Sequence, residues 1–217
     1  ENPANTLLKT QLATLYAEHK KPDAAAKLLE DVVASGSKTR PILELLLSVY
    51  AAQGKEDKAL AVHLEVLRLS ESPDDFKSFL SYLQKNKSRQ EAAAYLEKHQ
   101  QQIPKAFDSS VTLALADLYS QQKDWSKAAA QYEKAVKSGV KSSDVLYNLA
   151  VSYEKGADQD KAIEALNRYL QKNPGDAKSW MQMGELQEKK GNIPKARAAY
   201  EAVLQKSPQN KEALVRL

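Results

Sequence analysis

Between residues 143 and 176 the apolar side chains recur at helical spacing. Leu146, Leu149, Ala150 and Tyr153 stand at i, i+3, i+4 and i+7, which places them on one helix face. Ala157 and Asp158 fall at a turn. A second apolar face follows, made of Ala162, Ile163, Leu166, Tyr169 and Leu170, and Asn173, Pro174 and Gly175 end it. The pattern predicts two antiparallel helices joined by a tight turn. Residues 109–142, 143–176 and 177–210 align without gaps at this 34-residue period, with Ala128, Ala162 and Ala196 at the same place. Ala59 and Ala25 bring residues 40–72 and 6–39 into the same register. Residues 73–106 form a divergent copy around Ala92. The last residues, 211–217, open a seventh unit and stop.

The residues at fixed places in the units follow a pattern. A large first residue is found at Leu43, Phe76, Thr112, Leu146 and Trp180. The next apolar place holds Leu12, Leu46, Phe79, Leu115, Leu149 and Met183. An aromatic place holds Tyr16, Tyr50, Tyr119 and Tyr153, with Leu83 and Gln187 departing from it. Gly54 and Gly191 sit at the turn, and Pro104, Pro174 and Pro208 close units. This pattern resembles the tetratricopeptide repeat family over roughly residues 6–217. The resemblance implies an all-α, right-handed superhelical solenoid of antiparallel helix pairs, about six repeats with a truncated seventh. Each pair buries its apolar face only by stacking on its neighbours.

Departures matter as well. The small place in the first helix holds Ala13, Ala116, Ala150 and Gly184, but Leu47 and Leu80 in the second and third units. A Leu there should widen the packing or shift the register. The third unit also has Lys87 at its turn, His99 at a core position and two extra residues. These features predict a bend over 73–108. The cut seventh unit leaves Leu214 and Leu217 without a second helix, so that end is expected to fray or to be covered by another chain.

The resemblance implies a concave surface lined mainly by the first helices. In the last three units that face reads Asp117, Tyr147, Asn148, Val151, Glu154, Lys155, Lys178, Met181, Gln182 and Glu185. It mixes an aromatic, a Met, amides and both charge signs, which suits a peptide or a partner helix. Most other Tyr residues occupy core places, whereas Tyr147 falls on the open side, where it can anchor a ligand. One branch of the family grips a chaperone's C-terminal carboxylate with a Lys, Asn, Asn, Lys, Arg set. The equivalent places here hold Leu113, Asp117, Asn148, Lys178 and Gln182. Asp117 would repel that carboxylate, so this mode is excluded.

Composition narrows the classes further. Among 217 residues Gly (7) and Pro (8) are scarce, a helical composition. With no Cys, disulfides, thiolate metal sites and a Cys nucleophile are excluded. The net charge of +4 sits in the second half, since residues 1–108 hold 15 basic and 15 acidic side chains. Lys189, Lys190, Lys195 and Arg197 cluster near one turn, but without interleaved aromatics, and no nucleic-acid partner is expected. No apolar run is long enough to span a membrane, so direct insertion is not expected. His19, His63 and His99 are scattered, no phosphate loop or nucleophile elbow occurs, and neither a cofactor, a metal nor catalysis is expected. The chain starts at Glu1 without an initiator Met or a signal-like segment, which reads as a processed product or a fragment of a larger protein.

These observations point to a non-catalytic scaffold for protein–protein interaction, binding a peptide or partner helix in its groove. The alternative is a structural or self-assembling spacer in a larger bacterial envelope, secretion or polysaccharide-export protein, with self-association through the exposed C-terminal end. The Ala-, Gln- and Lys-rich wording resembles bacterial proteins and favours periplasm or envelope over cytoplasm, but identifies no compartment.

Overall fold

The computed structural model describes residues 3–217, which form thirteen α-helices and no strand among the described residues. The chain divides into two compact units, one ending at Ser110 and the other comprising Val111–Leu217. The first contains α1 (Pro3–Glu18), α2 (Pro22–Ala34), α3 (Arg40–Ala52), α4 (Glu56–Arg68), α5 (Pro73–Asn86) and α6 (Arg89–His99). After α7 (Asp108–Gln121), which crosses the boundary, the second contains α8 (Trp125–Lys137), α9 (Ser143–Lys155), α10 (Gln159–Lys172), α11 (Ala177–Lys189), α12 (Ile193–Lys206) and the short α13 (Lys211–Arg216).

Local chemistry sets the helix ends. Asp124, Asp158 and Asn210 each accept a hydrogen bond from a backbone amide three residues on, which satisfies one of the first turn's free donors. The turn inside each pair uses one residue in the left-handed conformation: Lys20, Gly54, Lys123, Ala157 and Gly191, with φ between 57° and 77°. Sequence marks Gly54 and Gly191 for this role. The same place holds Lys or Ala in the other three, at a cost of about 1 kcal/mol each that the surrounding packing must offset.

The third repeat departs from this scheme. Lys87 is extended (φ −126°, ψ 147°) instead of left-handed. Ser88 then starts α6 with a capping box, its hydroxyl and Glu91 each bonding the other's backbone amide. The residues after α6 form two short 3₁₀ turns, Gln100–Gln102 and Lys105–Phe107. They are anchored by the buried side chains of Ile103 and Phe107, and Phe107 stacks on Phe76 with ring centroids 5.7 Å apart.

In the first unit the core joins Ala25, Leu29 and Val32 of α2 to Leu43, Leu46 and Tyr50 of α3, and to Ala59 and Val62 of α4. Leu47 and Leu80, the large residues at the small place, are only half-buried, whereas Ala13, Ala116 and Ala150 are fully enclosed. His63 is buried in α4 against Phe79 and Tyr82, with centroids 6.0 and 5.1 Å away, and its Nε2 has no hydrogen-bond partner. Burial lowers its pKa to about 4, against a smaller upward pull from the Asp75 charge.

A polar clip recurs at equivalent places in both units. The Tyr50 hydroxyl donates to Glu30 of the preceding pair at 2.6 Å, and Lys58 reaches the same carboxylate at 2.7 Å while lying 5.3 Å from the Tyr50 ring centre. In the second unit Tyr153 donates to Glu133, with Lys161 5.2 Å from its ring centre. At these two joints the charge-assisted hydrogen bond ties one pair to the pair before it, while the cation–π contact joins the two helices of a single pair.

Candidate functional site

The candidate site lies in the second unit, where three first helices run side by side. A groove of about 590 Å³ is lined by α9, α11 and the start of α13. Tyr147, Val151, Glu154 and Lys155 come from α9; Lys178, Met181, Gln182 and Glu185 come from α11. These are eight of the ten residues that the repeat register places on the open face. They meet because neighbouring first helices are parallel and one repeat apart, so the same helical face is presented twice.

The floor is apolar: Tyr147, Val151 and Met181, with Ala177 beside them. Met181 is buried and belongs to the core cluster of Tyr200 and Val203, which fixes its position. Tyr147 is half-buried, its ring tilted against Tyr169 at 5.4 Å. The Tyr169 hydroxyl donates to Asp176 at 2.9 Å. Asp176 in turn caps α11, accepting from the Lys178 and Ser179 amides at 3.1 and 3.2 Å and from the Ser179 hydroxyl at 2.7 Å. Burial pushes the Asp176 carboxyl up. Hydrogen bonds from Ser179, Tyr169 and the two amides outweigh that and hold it below the usual carboxylate value. One cap therefore sets both the ring that supports Tyr147 and the start of the helix that carries Lys178.

The walls are charged. Gln182 donates to Glu154, and Lys189 stands 3.9 Å from the same carboxylate. Lys155 and Lys178 project from the rim, and Glu185 and Glu212 supply the opposite sign. A groove of this kind offers apolar contact along its floor and charge contacts along both edges. It holds no arrangement of nucleophile, base and oxyanion donors. Among the described residues, no group of His, Cys, Asp or Glu is disposed to hold a metal ion, and no helix is long and apolar enough to cross a membrane.

Two expected residues do not line the groove. Asp117 of α7 accepts a hydrogen bond from the Tyr132 hydroxyl at 2.5 Å. Asn148 bonds the same hydroxyl, which burial and Asp117 push well above the usual phenol value. Both side chains are drawn to the joint between α7, α8 and α9. Register identifies the open face of a helix but not which neighbour a polar side chain on that face will choose.

The groove also has lining that the sequence reading omits: Ala177, Asn210 and Glu212. Residues 211–217 open the seventh unit, whose end is expected to fray or to be covered by another chain; residues 211–216 form α13. Asn210 caps it at 3.0 Å, Ala213 is buried, and Arg216 donates to Glu188 at 2.6 Å. The available signal was the period itself, since Glu212 is Lys178 one repeat later.

The tetratricopeptide repeat family matches residues 10–75, 113–177 and 178–210. The chain is 29% identical to human protein O-mannosyl-transferase TMTC1 over 176 residues, covering 78% of this chain and 20% of that protein. It is 31% identical to photosystem I assembly protein Ycf3 of Prochlorococcus marinus over 71 residues, covering 31% of this chain and 41% of that one. The chain thus spans between a fifth and about two fifths of the length of these relatives. Among solved structures it is similar to YrrB, a TPR protein with an unusual peptide-binding site. That match has a TM-score of 0.58 and 20% identity, over 73% of this chain and 79% of YrrB. PilW, a type IV pilus biogenesis factor, gives a TM-score of 0.54 at 17% identity over 97% of both chains. At these identities the likeness is one of fold.

Proposed function

The chain belongs to the tetratricopeptide repeat family, whose fold is a protein-interaction scaffold, and from that premise we propose that its second unit captures a peptide or partner helix in the α9–α11–α13 groove. The observation that carries this reading is the apolar floor of Tyr147, Val151 and Met181 among charged side chains of both signs. Such a floor takes one or two apolar side chains of the partner. Lys155 and Lys178 then meet its acidic groups, and Glu185 and Glu212 its basic ones. The mechanism is passive. The floor is held in place by the Met181–Tyr200 packing and by the Asp176 cap, so the receptor spends little ordering entropy on binding. No residue is assigned to bond making or breaking.

The test is a peptide library selected on the full chain, with the selected peptides titrated by fluorescence anisotropy. Tyr147→Ala and Lys178→Glu should each weaken binding at least about tenfold, or roughly 1.4 kcal/mol, without moving the thermal unfolding midpoint. A substitution on the other unit, Glu44→Gln, should leave affinity unchanged. Peptides that bind equally well to both groove variants would place the binding surface elsewhere.

A further inference from the structure

Both units contain a crevice between two successive second helices, built in the same way. In the first unit α2 and α4 flank it, Leu43, Leu46 and Tyr50 of α3 form its floor, and its volume is about 500 Å³. In the second unit α8 and α10 flank it, Leu149 and Tyr153 of α9 form its floor, and its volume is about 230 Å³. Leu149 and Tyr153 each stand two residues from Val151, about 200° round the helix. The crevice therefore opens on the side of α9 away from the candidate groove, and no residue lines both.

The loop that enters the floor helix is alike in both units. The Ser35 and Ser138 hydroxyls donate to the Val32 and Ala135 carbonyls at 2.7 and 2.9 Å, and Gly36 and Gly139 follow with φ of 95° and 87°. Two residues later the chain places Lys38 in one unit and Lys141 in the other. Across the crevice the equivalent places hold Glu65 of α4 and Arg168 of α10. In the first unit the Glu65 carboxylate accepts from Lys38 at 3.0 Å and from Arg68, and this bridge from the α2–α3 loop to α4 closes that end of the crevice. In the second unit the bridge cannot form, because both of its places are cationic and like charges repel. Neither Lys141 nor Arg168 makes an ion pair among the described residues, although Glu164 stands one turn before Arg168. Lys137, in the place of Ala34, adds a third cation, with its ammonium 3.3 Å from Glu133.

We propose that the α8–α10 crevice docks a segment of a partner protein that presents a glutamate or aspartate beside an apolar side chain. The partner's carboxylate lies between Lys141 and Arg168, taking the part that Glu65 plays opposite Lys38 in the first unit. Its apolar neighbour enters the crevice over Val136, Leu149 and Ala165. Charge selects this occupant. The equivalent joint of the same chain is closed by a carboxylate, and here the two basic side chains that would flank one have none. The other end of the crevice is already satisfied, since Tyr153 donates to Glu133 and Lys161 stands 3.1 Å from Asp158. Recognition of charge is thus confined to the Lys141–Arg168 end. The first unit offers no second such site, because Glu65 fills it. The proposal is independent of the groove reading, since it uses other side chains on the opposite face of α9.

An array of short, end-blocked peptides tests it, each carrying one Glu and one Leu at varied spacing in an Ala and Gln background, beside matched peptides with Gln for the Glu. Retained peptides are titrated against the full chain by fluorescence anisotropy. The Glu peptides should bind at least about tenfold more tightly than their Gln counterparts. Arg168→Glu puts the first unit's acid into the second and should abolish that binding, while circular dichroism and the thermal midpoint stay as in the wild type. Peptides selected on the α9–α11 groove should bind Arg168→Glu normally, which separates failure of this site from failure of that one. Arg168→Lys should retain most of the affinity. Glu65→Arg opens the equivalent end in the first unit and should raise the stoichiometry from one peptide per chain to two. A wild type that binds Glu and Gln peptides alike would overturn the proposal, as would an Arg168→Glu variant that still takes the Glu peptides. So would a chain that retains no peptide but binds phosphatidylserine vesicles through Arg168, which would assign these cations to a lipid surface.

Discussion

Gly184 shows how closely one residue can set the packing of the candidate site. It occupies the small place of α11, where three other repeats hold Ala. A Cβ added there would stand 2.2 Å from Cε1 of Tyr200 and 2.7 Å from its Cδ1 and Cζ. Carbon contacts settle near 3.5–4.0 Å, so the ring would have to move by more than about an ångström. The ring has little freedom to do so, because Tyr200 is fully buried and its hydroxyl donates to Glu188 at 2.9 Å. Overpacking of this sort costs about 1–3 kcal/mol, and the strained hydrogen bond about 1 kcal/mol more. Replacing a helical Gly with Ala returns about 1 kcal/mol. Gly184→Ala should therefore destabilise the second unit by roughly 1–3 kcal/mol. Both tryptophans, Trp125 and Trp180, lie in that unit, so urea unfolding followed by tryptophan fluorescence reports on it directly. In a Tyr200→Leu background the same change should become neutral or favourable, because the clashing ring is gone. If Gly184→Ala raises the midpoint with Tyr200 present, the contact argument is wrong.

Other outcomes follow from the same geometry. Burial lowers the His63 pKa to about 4 from 6.5, so the unfolded chain takes up this proton first. The resulting stability is fully present above about pH 6.5 and is lost as pH falls towards 4, by roughly 3 kcal/mol at most; His63→Leu should flatten that part of the urea-midpoint profile, and an unchanged profile would refute the assignment. Gly191→Ala should cost about 1 kcal/mol although the added methyl meets no atom within 4 Å, because φ is +77° there. Gly175→Ala, equally uncrowded and without a positive φ, should be close to neutral in the same calorimetric comparison. Asp176→Ala removes the α11 cap and the Tyr169 acceptor, so it should lower stability by about 1–2 kcal/mol and weaken peptide binding. Asp176→Asn, which retains an acceptor, should recover most of both, and an Ala variant that binds normally would detach the cap from the groove.

Much of this architecture could be read from the chain itself. A helix must bury one face, and that requirement writes a 3.6-residue period of apolar side chains; stacked pairs write the longer 34-residue period over it. Together they locate the helix pairs. They also bring Tyr147, Val151, Lys178, Met181 and Glu185 onto one open face, because equivalent places on parallel helices point the same way. Periodicity cannot report competition between neighbours. Asp117 and Asn148 share that open face, yet the Tyr132 hydroxyl draws them into a joint. Lys20, Lys123 and Ala157 adopt a conformation that composition would assign to Gly, because packing on both sides of the turn overrides their own preference. Leu12 carries the same pattern as Leu46 and Leu149 but is exposed where they are buried, a difference that the repeat pattern does not record. The chain alone determines the repeating unit and the outward direction of each side chain. The tertiary structure decides which of those side chains find a partner, because burial and hydrogen bonding belong to pairs of surfaces and not to single residues.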